Sequence, residues 1–224
     1  MASPDFWIIN LLSCITAALS VWIMSRFPKS LSPVLSDFKK PTLWEIILFS
    51  MILILIFQGI AKVEHQWPIR IAYSLFFLVL MICTWTDLHS KIIPNRIILF
   101  GIVVWLIFFM TFDFLIIESI LAATVLAIGI ICLNQVCLVF YGEEAFGMGD
   151  VKLIYFIGLF TGWEALWLLY LAIFTGAIAA LSVIYSGKAD RSARMPFAPF
   201  LTVGSIIGFF MIPSSILWSW FYGA

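Results

Sequence analysis

Charge is what this chain has least of. Only 11% of its 224 residues are charged and 64% are hydrophobic, whereas soluble domains carry roughly a quarter charged residues. That excludes a soluble globular domain and leaves an integral membrane protein. The formal net charge is zero and basic runs are few, which removes any electrostatic case for nucleic-acid binding. Thiol chemistry is equally thin. All four cysteines, Cys14, Cys83, Cys132 and Cys137, lie inside apolar runs, so they read as reduced, buried small hydrophobes and give neither a disulfide framework nor a CxxC zinc site. With two histidines in the chain, no His/Cys cluster for a metal is present, and no cofactor is expected. A GxSxG nucleophile elbow is also missing, which removes the usual serine-hydrolase reading.

The apolar residues fall in membrane-length runs. A spanning helix needs about 20 such residues, and runs can be read at 6–24, 43–61, 69–87, 97–113 and 117–140. The following apolar stretch, to Ser186, is interrupted at Gly162-Trp163-Glu164. It reads as a short helix over 151–161 and a span over 165–186, and a last span covers 199–220. The expected architecture is therefore an all-α polytopic bundle of about eight segments. Gly158 with Gly162, and Gly204 with Gly208, have the GxxxG spacing that lets helix backbones approach closely. Ala122, by contrast, reads as a position in an ordinary span where added bulk can face lipid.

The basic residues orient this frame, because cytoplasmic loops collect Lys and Arg. No Lys or Arg precedes the first run, whereas Arg26 and Lys29 follow it, which favours an uncleaved first span with its N-terminus external. Arg26, Lys29, Lys39, Lys40, Lys91, Arg96, Lys152, Lys188, Arg191 and Arg194 then lie inside, and only Lys62 and Arg70 outside. An even number of spans places the C-terminus outside as well.

Two carboxylates stand out on this background. Asp87 closes one apolar run, in Thr86-Asp87-Leu88-His89-Ser90-Lys91-Ile92-Ile93-Pro94-Asn95, and Asp150 opens another, in Gly147-Met148-Gly149-Asp150-Val151-Lys152. A carboxylate at the bilayer edge needs a partner or a task, and the charge bias puts both at cytoplasmic helix ends. Two aspartates close enough to share a proton can hydrolyse a peptide bond without metal or nucleophile: repulsion keeps one protonated while the other is ionised. Their titration belongs to the pair, so neither is assigned as acid or base. Gly147 and Gly149 would let the backbone bend and approach a substrate strand, and Lys152 would steady local charge or face lipid headgroups. Each residue also has a plainer reading. A single Asp at a helix end is commonly a cap, His89 reads as an exposed loop residue, and Glu143 and Glu144 as a solvated loop edge.

Taken together, these segments resemble the type IV prepilin peptidases. Gly147-Met-Gly149-Asp150-Val-Lys152-Leu153, with Gly158 and Gly162 beyond, is similar to that family's GxGD segment and its DxKL continuation. Trp85-Thr-Asp87 with Ile93-Pro94-Asn95 is similar to its first aspartate segment, and Pro196-Phe-Ala198-Pro199 to its PFGP-type segment, with Ala198 replacing a glycine. The resemblance runs from about residue 69 to 205. It implies a GxGD aspartic peptidase with catalytic Asp87 and Asp150, supported by Gly147, Gly149, Lys152, Pro94 and Asn95. It also implies two parts, 1–68 with two spans and a short cytoplasmic loop, and 69–224 with the peptidase. The implied partners are a prepilin or pseudopilin substrate and membrane lipid, with no nucleic acid. In bifunctional members the first cytoplasmic loop carries two CxxC pairs associated with N-methylation of the mature pilin, whereas residues 25–42 hold no cysteine. The resemblance therefore extends to proteolysis and not to methyl transfer. Two other readings stay open: a presenilin-like GxGD protease, which would place its aspartates deeper and use a Tyr-Asp pair where Thr86 stands, and a transporter relaying ions through paired acids, for which no internal repeat is found.

Overall fold

The structure, a computed structural model, describes residues 42–63, 67–111, 116–186 and 195–211, with residue 15 besides. The regular structure among these residues is all helical: α1 Leu43–Val63, α2 Trp67–Ser90, α3 Asn95–Thr111, α4 Ile116–Tyr141, α5 Met148–Thr161, a single 3₁₀ turn Gly162–Glu164, α6 Ala165–Tyr185 and α7 Ala198–Met211. The order follows from composition. Apolar runs with their backbone groups bonded internally are helices in lipid, and the short polar intervals between them are too brief for anything but turns.

Four helices are long and apolar enough to cross a membrane: Leu43–Lys62, Ile69–Ser90, Ile116–Tyr141 and the continuous stretch Met148–Tyr185. Asn95–Met110 and Ala198–Met211 are apolar but shorter. Eight spans are thus not reached among the described residues. The expected first span, 6–24, lies outside them except for residue 15, as do the loop 25–41 and residues 212–220 of the last span. The division of 151–186 falls at the expected place and has a local cause. Gly162 adopts φ 57, which an L side chain rarely tolerates, and it caps α5 before the 3₁₀ turn redirects the chain.

The second described helix, α2, is the most enclosed of the long apolar helices. α2 packs against α1, α3 and α7, while α4 pairs with α5 and α6 with α7. Phe76, Phe77, Leu78, Leu80 and Trp85 of α2 are fully buried, and Phe76 stacks with Phe156 and Phe160 of α5 at centroid distances of 5.5 and 5.0 Å. Outward residues such as Leu121, Val125 and Ile128 of α4, or Trp167 and Phe174 of α6, are large and apolar, as a lipid-facing surface requires. At the polar ends, Thr42 and Glu45 form a reciprocal cap on α1. The second oxygen of Glu45 lies 3.1 Å from His89 Nε2, and His89 Nδ1 lies 3.0 Å from the Trp85 carbonyl. His89 is therefore held in the last turn of α2 as a bridge to α1 and is not an exposed loop residue, because each ring nitrogen has an oxygen within hydrogen-bond distance.

The glycine pairs divide. A Cβ at Gly158 would stand 2.7 Å from Ala123 Cα, and one at Gly204 would stand 2.6 Å from the Leu168 carbonyl oxygen, so both permit helix backbones to touch. Gly162 meets nothing within 4 Å and is required by its φ instead. Ala122, expected to tolerate bulk, is fully buried beside the Ala123 contact. The open position on α4 is Gly129, which has nothing within 4 Å. Gly158→Val is expected to lose about 1–3 kcal/mol or more through overpacking, and Gly129→Val to stay near wild type. Thermal unfolding of the two variants in the same detergent checks the difference.

Candidate active site

Asp87 sits one turn before the end of α2 and is 5% exposed. A carboxylate buried there needs donors, and it finds them on a segment 111 residues away: the Ala198 N–H, at the first residue of α7, donates to Asp87 Oδ2 at 2.9 Å. The backbone of Phe197 contributes beside it. The N-terminus of a helix presents free amides and the positive end of its dipole, which is why an acidic side chain settles there.

The register that delivers Ala198 is set one and two turns further in. Thr84 Oγ1 and Thr202 Oγ1 are 2.6 Å apart. Each is also near a carbonyl of the opposite helix, Thr84 to Ala198 O at 3.4 Å and Thr202 to Leu80 O at 3.3 Å. Both threonines are buried, so a slip of α7 along α2 would leave hydroxyls without partners.

Asp150 is the third residue of α5 and is half-buried. Its Oδ2 accepts the Gly147 N–H at 3.1 Å, and its own N–H donates to the Gly147 carbonyl at 3.0 Å. The plain reading of a helix cap is therefore true of one oxygen of Asp150. The carboxyl is also within electrostatic reach of Asp87. The loop end of α2, the start of α5 and the start of α7 consequently meet at one end of the bundle.

The supporting residues take distinct places. Gly147 has φ −72 and ψ 153, an ordinary extended backbone, so no special bend is needed there. Gly149 gives close approach: a Cβ would lie 3.2 Å from Ile93 Cβ, a tight contact, so α5 starts against the Ile93-Pro94 stretch. Pro94 opens α3 by accepting the Ile97 and Ile98 N–H groups at 3.1 and 3.4 Å. Asn95 follows, and its Oδ1 accepts from Lys152 Nζ at 2.9 Å, so Lys152 is tied to α3. Lys91 ends α2 in the left-handed region, φ 52, with its N–H on the Asp87 carbonyl at 2.9 Å. Glu143 and Glu144 are exposed. Among the described residues no group of three or more His, Cys, Asp or Glu could hold a metal.

Sequence reasoning did not find Thr84, Thr202 or the Ala198 amide. A main-chain donor leaves no mark in residue identity, and a threonine in an apolar run is a common helix residue that bonds its own backbone. Thr84→Val or Thr202→Val alone is expected to lose about 1–3 kcal/mol, because the surviving hydroxyl is left poorly paired, whereas the double variant should lose less than the two singles combined. A double-mutant cycle on unfolding in detergent reads this coupling.

A model of the type IV leader peptidase family matches residues 74–184. The chain is 37% identical over 73 residues to a prepilin leader peptidase/N-methyltransferase of Pectobacterium carotovorum, covering 31% of this chain and 25% of that protein. It is 38% identical over 64 residues to one of Burkholderia pseudomallei, covering 28% and 21%. A longer match, 29% identical over 135 residues, is to one of Bacillus subtilis and covers 60% and 53%. The matched stretches thus span between 21% and 53% of these three relatives. No solved structure matches the chain significantly.

Proposed function

The chain belongs to the type IV leader peptidase family through residues 74–184, and on that premise we propose that it is a membrane aspartic endopeptidase that removes the leader from a type IV prepilin or pseudopilin. The observation that carries this reading is the placement of Asp87 and Asp150, on different helices, within Coulombic range at one end of the bundle. In the proposed reaction the two carboxyls share one proton. The ionised one takes a proton from water, whose oxygen adds to the scissile carbonyl carbon, while the protonated one gives its proton to the carbonyl oxygen. The tetrahedral diol then collapses: one of its hydroxyls gives a proton to the carboxylate that had given one up, the C–N bond breaks, and the leaving amine takes the proton that the other carboxyl had accepted from water. Gly147, Gly149, Lys152, Pro94 and Asn95 are ascribed the role of holding α5 and α3 around the pair.

The substrate ascribed to the site has a basic leader, a glycine at the cut and an apolar helix beginning after it. Such a chain would lie in the bilayer with its cut bond at the interface. The site is assigned to the cytoplasmic side of a prokaryotic inner membrane, with both termini external and eight spans in the whole chain. Lys91, Arg96 and Lys152 support this, since Lys91 follows Asp87 by four residues, Lys152 follows Asp150 by two and Arg96 lies in the first turn of the next helix, which matches the basic bias of cytoplasmic loops. Residues 1–68 are ascribed to two spans and their loop, and 69–224 to the peptidase unit. The relatives' second activity, N-methyl transfer, is not ascribed to this chain, because residues 25–42 lack cysteine.

Asp87→Asn and Asp150→Asn are each expected to cut leader removal by at least about a hundredfold, with insertion into the membrane unchanged. Co-expression with a prepilin and a gel-shift assay of the mature product tests this, and residual cleavage near the wild-type rate in either variant defeats the reading. A topology reporter fused at Lys91 should read cytoplasmic and one at Ala224 external. A cytoplasmic signal at Ala224 removes the eight-span arrangement.

A further inference from the structure

Asn134 is a polar side chain inside the apolar helix Ile116–Tyr141, and it is 6% exposed. An amide there needs partners. It finds both on one residue of the loop between α4 and α5: Asn134 Nδ2 donates to the Phe146 carbonyl at 2.7 Å, and the Phe146 N–H donates to Asn134 Oδ1 at 2.8 Å. The two bonds fix the orientation of the amide, because a carbonyl can only accept and an N–H can only donate. The pair imitates one rung of a β-ladder and clamps the main chain immediately before Gly147, whose N–H bonds Asp150.

Phe146 also extends the clamp sideways. Its ring meets that of Phe197 edge to face, with centroids 4.9 Å apart, and Phe197 immediately precedes Ala198, whose N–H bonds Asp87. Two phenylalanines in contact therefore each stand directly before the residue that donates to one of the two aspartates. We infer that Asn134 is a positioning residue which, through Phe146 and its contact with Phe197, holds the Gly147 and Ala198 amides on Asp150 and Asp87 together. The inference rests on the aspartic-peptidase reading for its consequence in rate, but its geometry can be tested without activity.

The test uses the full chain purified in detergent, with Asn134→Leu, Asn134→Asp, Phe197→Leu and, as control, Gln135→Leu, whose side chain is exposed on the same helix. Hydrogen exchange read by mass spectrometry in segments 142–150 and 195–201 should accelerate at least about tenfold in both segments for the Asn134 and Phe197 variants, and in neither for the control. With a prepilin substrate, kcat should fall about 10–100-fold in the Asn134 variants while KM stays within about twofold, since displaced carboxyls alter the chemical step rather than binding. Unchanged exchange in both segments overturns the inference, and acceleration confined to 142–150 overturns the coupling between the aspartates. If an Asn134 variant does not fold, Phe197→Leu decides, because it leaves the amide clamp intact and must still loosen 142–150. A wild-type protein that cleaves no prepilin removes the peptidase reading, while the exchange result still judges the clamp.

Discussion

Asp87 is a carboxylate buried inside a membrane protein, and the rest of the site follows from satisfying it. Its partner is the Ala198 amide at the start of α7, 2.9 Å away. That bond requires α7 to begin at the end of α2 and no higher or lower. The Thr84–Thr202 pair and the close approach of Gly204 to the α6 backbone secure the same register from two sides. Once α7 is fixed there, Phe197 is fixed as well. Its contact with Phe146 brings the α4–α5 loop and Asp150 to the same end of the bundle. A site assembled from three chain segments thus depends on main-chain donors that each serve one carboxylate.

This arrangement makes the protein's small number of polar residues informative. In an apolar helix an unmatched amide, hydroxyl or carboxyl is costly, so a buried polar side chain bonded to another segment marks a place where two segments are locked. Asn134 to Phe146 and Thr84 to Thr202 are two such locks. Both lie toward the aspartate end of the bundle, where the exposed Lys152–Asn95 bond adds a further tie. The opposite parts of the helices are held by aromatic stacking and glycine contacts, which are less directional.

The helical architecture and the break before residue 165 were legible in the sequence, because long apolar runs and glycine at an interruption are local signals; the two aspartates stood out there as charges at the ends of apolar runs, and their joint role is the proposal. Gly149 was legible as a special residue but for another reason: it admits Ile93 and does not bend the chain. Asn134 was visible as a polar residue within the run 117–140, yet its partner, a backbone residue of the next loop, was not. Ala122 and His89 were misread for the same physical reason. Which face of a helix is buried is decided by neighbours far along the chain, and weakly amphipathic membrane helices give little periodic signal to reveal it.

The central claim is that Asp87 and Asp150 form one unit across α2 and α5. It is tested most directly by Asp87→Cys combined with Asp150→Cys in a chain whose native cysteines are replaced by alanine. The chain is treated in membranes with a short bifunctional thiol reagent and read by mass spectrometry of cross-linked peptides. The account predicts a cross-link joining the two segments in high yield, and none when Asp87→Cys is paired with Gly129→Cys. An absent link for the aspartate positions, with both thiols shown to be reactive, would contradict it.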